Sequence, residues 1–333
     1  MGNPVQFILA LLALVWLSSD GAAQVKILNV SSELTRGFYQ DYNPAFEAYW
    51  KGKTGQTVVI NQTYGDSSEQ AKSVVDEVDA DIVTFDRSDD IDWLYSNARF
   101  LEAKWAARLP NQSVPFSSTI VFLVRKNNPR DIRNWDDLIR SNISVVAPSP
   151  KTSSEGRYGY LAAWGYALKK SAGDEKQARA FVAKLYAHVP ILDAGGDGAT
   201  ITFASYGLGD VLLAYESQAA LIQKQFPKAQ FEVVLPPVSI KVDSVTAWVD
   251  RFVERHHDEA VVRAYLEYLY SDEAQELAAQ HFFRPGNETI LARYSTRYQP
   301  LELLTVKDVA GSWQKAQQAH FADGGIFDQI DKH

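Results

Sequence analysis

From residue 25 onward the apolar positions alternate between short β-branched runs and stretches of helical period. Val25-Lys26-Ile27-Leu28-Asn29-Val30 predicts a first strand. A helix follows from about 35 to 51, a strand over 57–61, a helix over about 67–78, and a strand over 81–85. That order predicts a βαβαβ lobe on largely parallel strands. A second set opens with Thr119-Ile120-Val121-Phe122-Leu123-Val124 and continues with Ile143-Ser144-Val145-Val146-Ala147. Between Arg157 and Lys170, Tyr158, Leu161, Ala162, Gly165 and Leu168 recur every three or four residues, one buried stripe of a helix whose start is suited to capping by Ser153 and Ser154. After Asp243 the pattern returns through Ala247-Trp248-Val249 and helices near 259–270 and 272–280, and about the last thirty residues pack as a tail. The fold class expected is α/β in two lobes with a ligand cleft between them: residues 24–117 in the first lobe, 118–244 in the second, and 245–333 as the return to the first plus the C-terminal tail.

The chain begins with an apolar run, Phe7 to Leu17, followed by Gly21-Ala22-Ala23. Small residues after such a run predict an export signal cleaved near Ala23 and a periplasmic product. The run is too short to span a bilayer, and no cysteine follows it to carry a lipid anchor. The 310 residues from Gln24 to His333 suffice for two separate cores.

Composition sharpens this picture at two points. Beyond Met1 the chain contains no sulfur, having no cysteine and no other methionine. This excludes disulfides and fits a protein made in quantity when sulfur is scarce. The net charge of −8 argues against nucleic acid or anionic membrane as partners, and an anionic ligand would need local donors.

In an open α/β sheet, ligands bind beyond the carboxyl ends of the strands, where loops lead into helix N-termini. Four segments fit: Ser31-Ser32-Glu33, Gly65-Asp66-Ser67-Ser68, Thr152-Ser153-Ser154-Glu155-Gly156 and Gly195-Gly196-Asp197-Gly198. Each offers hydroxyls or glycine amides that could hold a small oxyanion; any one alone is also an ordinary helix cap. The same loops, with the one after the third strand, carry Glu33, Asp66, Asp86, Asp89, Glu155 and Asp197. If they share a cleft, the acids would repel an anion and favour an amine or a metal. The competing reading, a carboxylate-rich enzyme or metal-dependent hydrolase, lacks a His-Glu-x-x-His motif, a nucleophile elbow, a Walker loop and a dinucleotide fingerprint. His256 and His257 read as a solvated turn.

Leu28-Asn29-Val30-Ser31 with Thr35-Arg36, Ala80-Asp81-Ile82-Val83-Thr84, Ser118 to Lys126, Pro150-Lys151-Thr152-Ser153, Tyr160 to Lys170, Gly209 to Ala214 and His320-Phe321-Ala322-Asp323-Gly324-Gly325 together resemble the periplasmic sulfate- and thiosulfate-binding proteins of ABC importers. The resemblance runs through nearly the whole chain after the signal. It implies a type II periplasmic binding fold that closes over a dehydrated sulfate held by neutral donors, with an inner-membrane ABC permease as partner. It also implies a monomer, no catalysis, no cofactor and no metal. Ser67 and Ser153 match the family's ligand-contacting serines. Ser31 and Ser32 lie in the matching first loop, Gly196 matches a small residue whose amide reaches the ligand, and Tyr215 stands where a Trp is usual. The departures are local: Asp66 for a Gly, Ser154 and Glu155 for a Gly-Gly pair, Asp197 for an Arg, Glu33 for an Asp, and Asp86, Arg87 and Asp89 for mostly apolar or aromatic residues. The implied ligand is sulfate or a related sulfur-containing anion, with an amine-bearing, zwitterionic or metal ligand as the alternative. Arg87, Lys151 and Arg157 are the bases that could neutralise the new acids.

Overall fold

A computed structural model describes residues 24–76, 78–299 and 301–330, so the export signal read at 1–23 lies outside the described residues. In the first half, β1 (Val25–Ser32) leads into α1 (Arg36–Thr54), β2 (Val58–Gly65) into α2 (Ser67–Asp76), and β3 (Ile82–Phe85) into α3 (Ser88–Trp93). The second half begins with β4 (Phe116–Val124) and β5 (Val145–Pro148), followed by α4 (Ser154–Lys170) and α5 (Glu175–Tyr186). It continues through β6 (Leu192–Asp193), α6 (Gly196–Thr200), β7 (Val211–Tyr215), α7 (Glu216–Gln225), β8 (Glu232–Val234) and β9 (Val238–Trp248). Helices α8 (Asp250–His256), α9 (Glu259–Tyr268) and α10 (Asp272–Gln280) then cover the first half, and two short strands, β10 (Arg284–Pro285) and β11 (Glu302–Leu304), follow.

The strand order is β2-β1-β3-β9-β4-β7-β5-β6. Strands β1, β2 and β3 are parallel, as are β5, β6 and β7, while β4 and β9 run antiparallel to their neighbours in this order, and β9 is parallel only to the short β11. Both of these long strands change partners midway. Val245–Trp248 of β9 pairs with β3 and Lys241–Ser244 with β4, while β4 hands over from β9 at Thr119 to β7 at Ile120. The two halves are therefore joined through strands common to both, and each half has apolar clusters of its own.

Packing follows from the helical stripes. On α1, Phe38, Tyr39, Tyr42, Phe46 and Trp50 recur three or four apart and are buried. Tyr42 and Phe46 each meet the ring of Tyr265 on α9 at a centroid distance of 5.0 Å, contacts worth about 0.5–1.5 kcal/mol each beyond area burial. Helix α4 starts at Ser154, four residues before the first stripe residue Tyr158, because the Ser153 hydroxyl accepts the Gly156 N–H at 3.2 Å. The tail has a definite address. Strand β11 pairs with Val238–Ile240 of β9, and Val309, Trp313, Phe321 and Phe327 join the core beneath α4 and α5.

Candidate functional site

The carboxyl ends of β1, β2 and β3 face those of β5, β6 and β7 across one cavity of about 430 Å³. The first half contributes Ser32 and Glu33 after β1, Gly65 and Asp66 after β2, and Asp86 after β3. From the second half come Ser153, Ser154 and Glu155 at the start of α4, Gly196 and Asp197 at the start of α6, and Tyr215 at the end of β7. A neighbouring cavity of about 370 Å³ continues past Glu33 and Asp197 toward Lys224 and His281.

Of the candidates read from sequence, Ser32, Glu33, Ser153, Ser154, Glu155, Gly196, Asp197 and Tyr215 line this cavity, whereas Ser31 and Ser67 do not. Successive strand residues point to opposite faces, so Ser31 turns with Asn29 into the sheet. There its hydroxyl donates to Asn29 Oδ1 at 3.1 Å and accepts from Gln62 Nε2 at 2.6 Å. Ser67 is fully buried at the first position of α2, and it is Asp66 just before it that reaches the cavity. Gln218, which no sequence signal marks, also lines the cavity, as does Thr152, named only as part of a candidate loop. Thr152 carried a signal in lying within a candidate loop; its hydroxyl donates to Ala194 O at 2.8 Å and ties two loops together.

Carboxylates organise the site. Asp66 Oδ1 accepts the Ser68 N–H at 3.0 Å, an ordinary cap on α2, while Oδ2 accepts the Ser154 N–H of the opposite half at 2.8 Å. Glu155 Oε1 accepts the Tyr215 N–H at 2.8 Å. Its other oxygen lies against Gly196, where a Cβ would come within 1.9 Å of it, so any other residue there would push the Glu155 carboxyl out of its place. The Tyr215 hydroxyl donates to Asp86 Oδ2 at 2.9 Å, and the Tyr158 hydroxyl donates to the Asp86 carbonyl at 2.7 Å. Asp66 and Asp86 of the first half are thus both hydrogen-bonded to the second. Asp86 Oδ1 and the hydroxyls of Ser32 and Ser154 are buried with no hydrogen-bond partner.

Burial governs the protonation of the inner acids. It pushes Glu155 up to about 8, with the nearby charges of Asp86, Asp197 and Glu33 adding and the Tyr215 N–H opposing. Asp86 is pushed up to about 7 by burial and by Asp66 and Asp90, against the Tyr215 hydroxyl and Arg87. Near neutral pH these two carboxyls hold protons for part of the time and can then act as hydrogen-bond donors.

None of the three bases expected to balance the acids lines the cavity: Arg87 pairs with Asp89, one of those acids, and Lys151 and Arg157 are engaged elsewhere. Arg87 lies 4.7 Å over the Trp313 ring, paired with Asp89 and donating to Ser68 Oγ at 3.0 Å. Lys151 is held by Asp328 at 2.9 Å and by the Phe321 carbonyl at 3.0 Å. Arg157 donates to Pro150 O at 3.0 Å. His256, read as part of a solvated turn, is exposed, and in addition its Nδ1 lies 2.6 Å from Asp81 Oδ1, just before β3 and away from the cavity.

The family model for bacterial extracellular solute-binding proteins matches residues 28–284. A thiosulfate-binding protein of Pseudomonas aeruginosa is 46% identical over 316 residues, covering 94% of this chain and 95% of that protein. A sulfate-binding protein of Salmonella typhimurium is 46% identical over 311 residues, covering 93% and 94%. The solved structure of the sulfate-binding protein SubI from Mycobacterium tuberculosis superposes with a TM-score of 0.78 at 29% identity, over 88% of this chain and 98% of that one. The ferric binding protein of Campylobacter jejuni, at 16% identity, shares the fold with a TM-score of 0.62 over 91% and 99%. With this fold, strand-end cavity and identity along nearly the whole length, the chain belongs to the bacterial extracellular solute-binding proteins, in the group of the sulfate- and thiosulfate-binding proteins.

Proposed function

We propose that this protein is the solute receptor of an ABC importer for sulfate or a related sulfur-containing anion, which it captures between its halves and delivers to the membrane permease. The observation that carries the reading is the set of buried, unpartnered hydroxyls of Ser32 and Ser154, one from each half, beside the raised carboxyls of Asp86 and Glu155. Neutral donors of this kind hold an oxyanion without a cation, and donors from both sides stabilise the closed arrangement. The hinge runs through β4 and β9 where they change partners, with residues 24–117 and 118–244 as the moving bodies. The protein works after export and removal of the signal near Ala23, as a monomer, by binding and not by catalysis. Among the described residues no helix is long and apolar enough to cross a membrane.

The test is calorimetric titration of refolded protein with sulfate and thiosulfate at pH 6 and pH 8.5. Affinity falls as pH rises, by up to about tenfold per pH unit for each proton the complex must keep. Ser154→Ala weakens binding at both values. A protein that gives no heat with either anion at pH 6 overturns the proposal.

A second reading rests on one further fact: Glu33, Asp66, Glu69, Asp86, Glu155 and Asp197 line the cavity with no Lys or Arg among them. A ligand carrying an ammonium beside its sulfonate would satisfy these acids as well as the hydroxyls. Tighter binding of an aminosulfonate than of sulfate at pH 8.5 would favour it.

A further inference from the structure

At the amino end of β3, away from the cavity, Asp81, His256 and Asp258 bring together ligand atoms that all lie within 4.8 Å of one another. The local fold builds this cluster deliberately. His256 ends α8, His257 takes a left-handed conformation at φ 56°, and Asp258 precedes α9, so the sharp turn directs both flanking side chains at the same carboxylate. Asp81 is 2% exposed; its Oδ2 accepts the Leu28 N–H of β1 at 2.7 Å, and its Oδ1 faces His256 Nδ1. Asp258 is 5% exposed, and both of its carboxylate oxygens are buried without a hydrogen-bond partner. Arg255, the adjacent base, is engaged by Asp79.

A buried carboxylate with two unsatisfied oxygens, set beside a second carboxylate, is unfavourable unless a proton or a cation lies between them. Two carboxylate oxygens and one imidazole nitrogen, from the α8–α9 turn and from Asp81 just before β3, with His256 open to solvent, form the donor set of a divalent transition cation that keeps water in its remaining positions. We propose that Asp81, His256 and Asp258 form a divalent cation site, with Zn²⁺ as its preferred occupant, that clips the α8–α9 turn onto β1 and β3. The site is independent of the cleft and of what the cleft binds.

The experiment uses tag-free, chelator-treated full-length mature protein, titrated calorimetrically with ZnCl2, with MgCl2 as the control and thermal unfolding as a second readout. The expected result is one equivalent of Zn²⁺ bound at the cluster, a higher unfolding temperature with Zn²⁺ and no effect of Mg²⁺. His256→Gln changes a surface residue and Asp258→Asn keeps the size of a side chain that makes no cap hydrogen bond, so both variants retain the fold. Each should weaken Zn²⁺ binding by at least about tenfold, since losing even an outer partner of a metal ligand costs about 10–100-fold. Zn²⁺ binding that persists unchanged in His256→Gln comes from other acids, the cleft included, and overturns the proposal. Absence of Zn²⁺ binding by the chelator-treated wild type overturns it too, since a proton shared between Asp81 and Asp258 then satisfies the cluster.

Discussion

Glu155→Gln separates the charge of the inner cleft from its shape. The amide keeps an acceptor for the Tyr215 N–H and has nearly the same volume, but it cannot ionise. Glu155 is buried and rises from an ordinary 4.5 to about 8. Between those two values the folded chain holds a proton that the unfolded chain has already released. The contribution of this group to stability is therefore fully present below about pH 4.5, declines as pH rises, and is lost above about pH 8. At about 1.4 kcal/mol for each pH unit, the gap amounts to an upper bound of about 5 kcal/mol. Urea unfolding of wild type and Glu155→Gln, followed by tryptophan fluorescence in sulfate-free buffer at pH 5, 7 and 9, measures it directly. The two proteins should differ little at pH 5, and the variant should be the more stable by about 3–5 kcal/mol at pH 9. A difference that stays constant within about 1 kcal/mol across that range would refute the argument, because it would mean that Glu155 is ionised in the folded protein as readily as in the unfolded one.

Three other perturbations probe neighbouring features. Asp66→Asn combined with Glu155→Gln should raise sulfate affinity at pH 8 by at least about tenfold, because a unit charge about 4 Å from an anion costs about 4 kcal/mol at an effective dielectric of 20; calorimetry showing no gain would mean that these carboxylates do not oppose the ligand. Gly156→Ala should destabilise the protein by about 2–3 kcal/mol, since a Cβ there would lie 2.5 Å from the Ser149 carbonyl, which is backbone and cannot step aside; an unchanged urea midpoint would contradict this. Tyr215→Phe removes the donor on Asp86 Oδ2 and should cost about 1–3 kcal/mol of stability above pH 7, where Asp86 is ionised, and less at pH 5; equal losses at both values would indicate a packing effect instead.

The strand-end loops were legible in the sequence because hydroxyls and glycines before an apolar helical stripe serve both as caps and as donors, and the fold directs those ends toward one another. Which member of each loop faces the cavity was not legible. Ser31 and Ser32 differ by the alternation of a strand, and the phase depends on which face of β1, the one carrying Asn29 and Ser31 or the other, meets Gln62 of β2. For Ser67 and Asp66 the start of α2 at Ser67 agrees with the sequence reading; what was not legible is that the Asp66 carboxylate meets the Ser154 N–H, 88 positions away. The fate of the bases depended on the tail. Lys151 is held by Asp328, and Arg87 stacks on Trp313, partners more than 150 positions away whose approach no local pattern encodes. His256 was missed for the same reason: Asp81 lies 175 residues before it.

The acids of the cleft do more than repel an anion. Ser154 opens α4, a helix of 17 residues, and its N–H belongs to the first turn, where unsatisfied donors and the helix dipole favour negative charge. That donor already holds Asp66 from the opposite half, and the Tyr215 N–H at the end of β7 holds Glu155. The protein's own carboxyl groups thus occupy two of the backbone donors on which an oxyanion site would draw. A ligand that uses those donors must exchange with Asp66 and Glu155, and exchange is easier when the displaced carboxyl can leave protonated, as Glu155 can near neutral pH. Asp66 differs in that its displacement also removes a hydrogen bond between the halves. A ligand that displaces Asp66 would have to replace that bridge with contacts of its own to both sides, so on the proposed reading the carboxylate whose charge opposes an anion also favours a solute that reaches both halves.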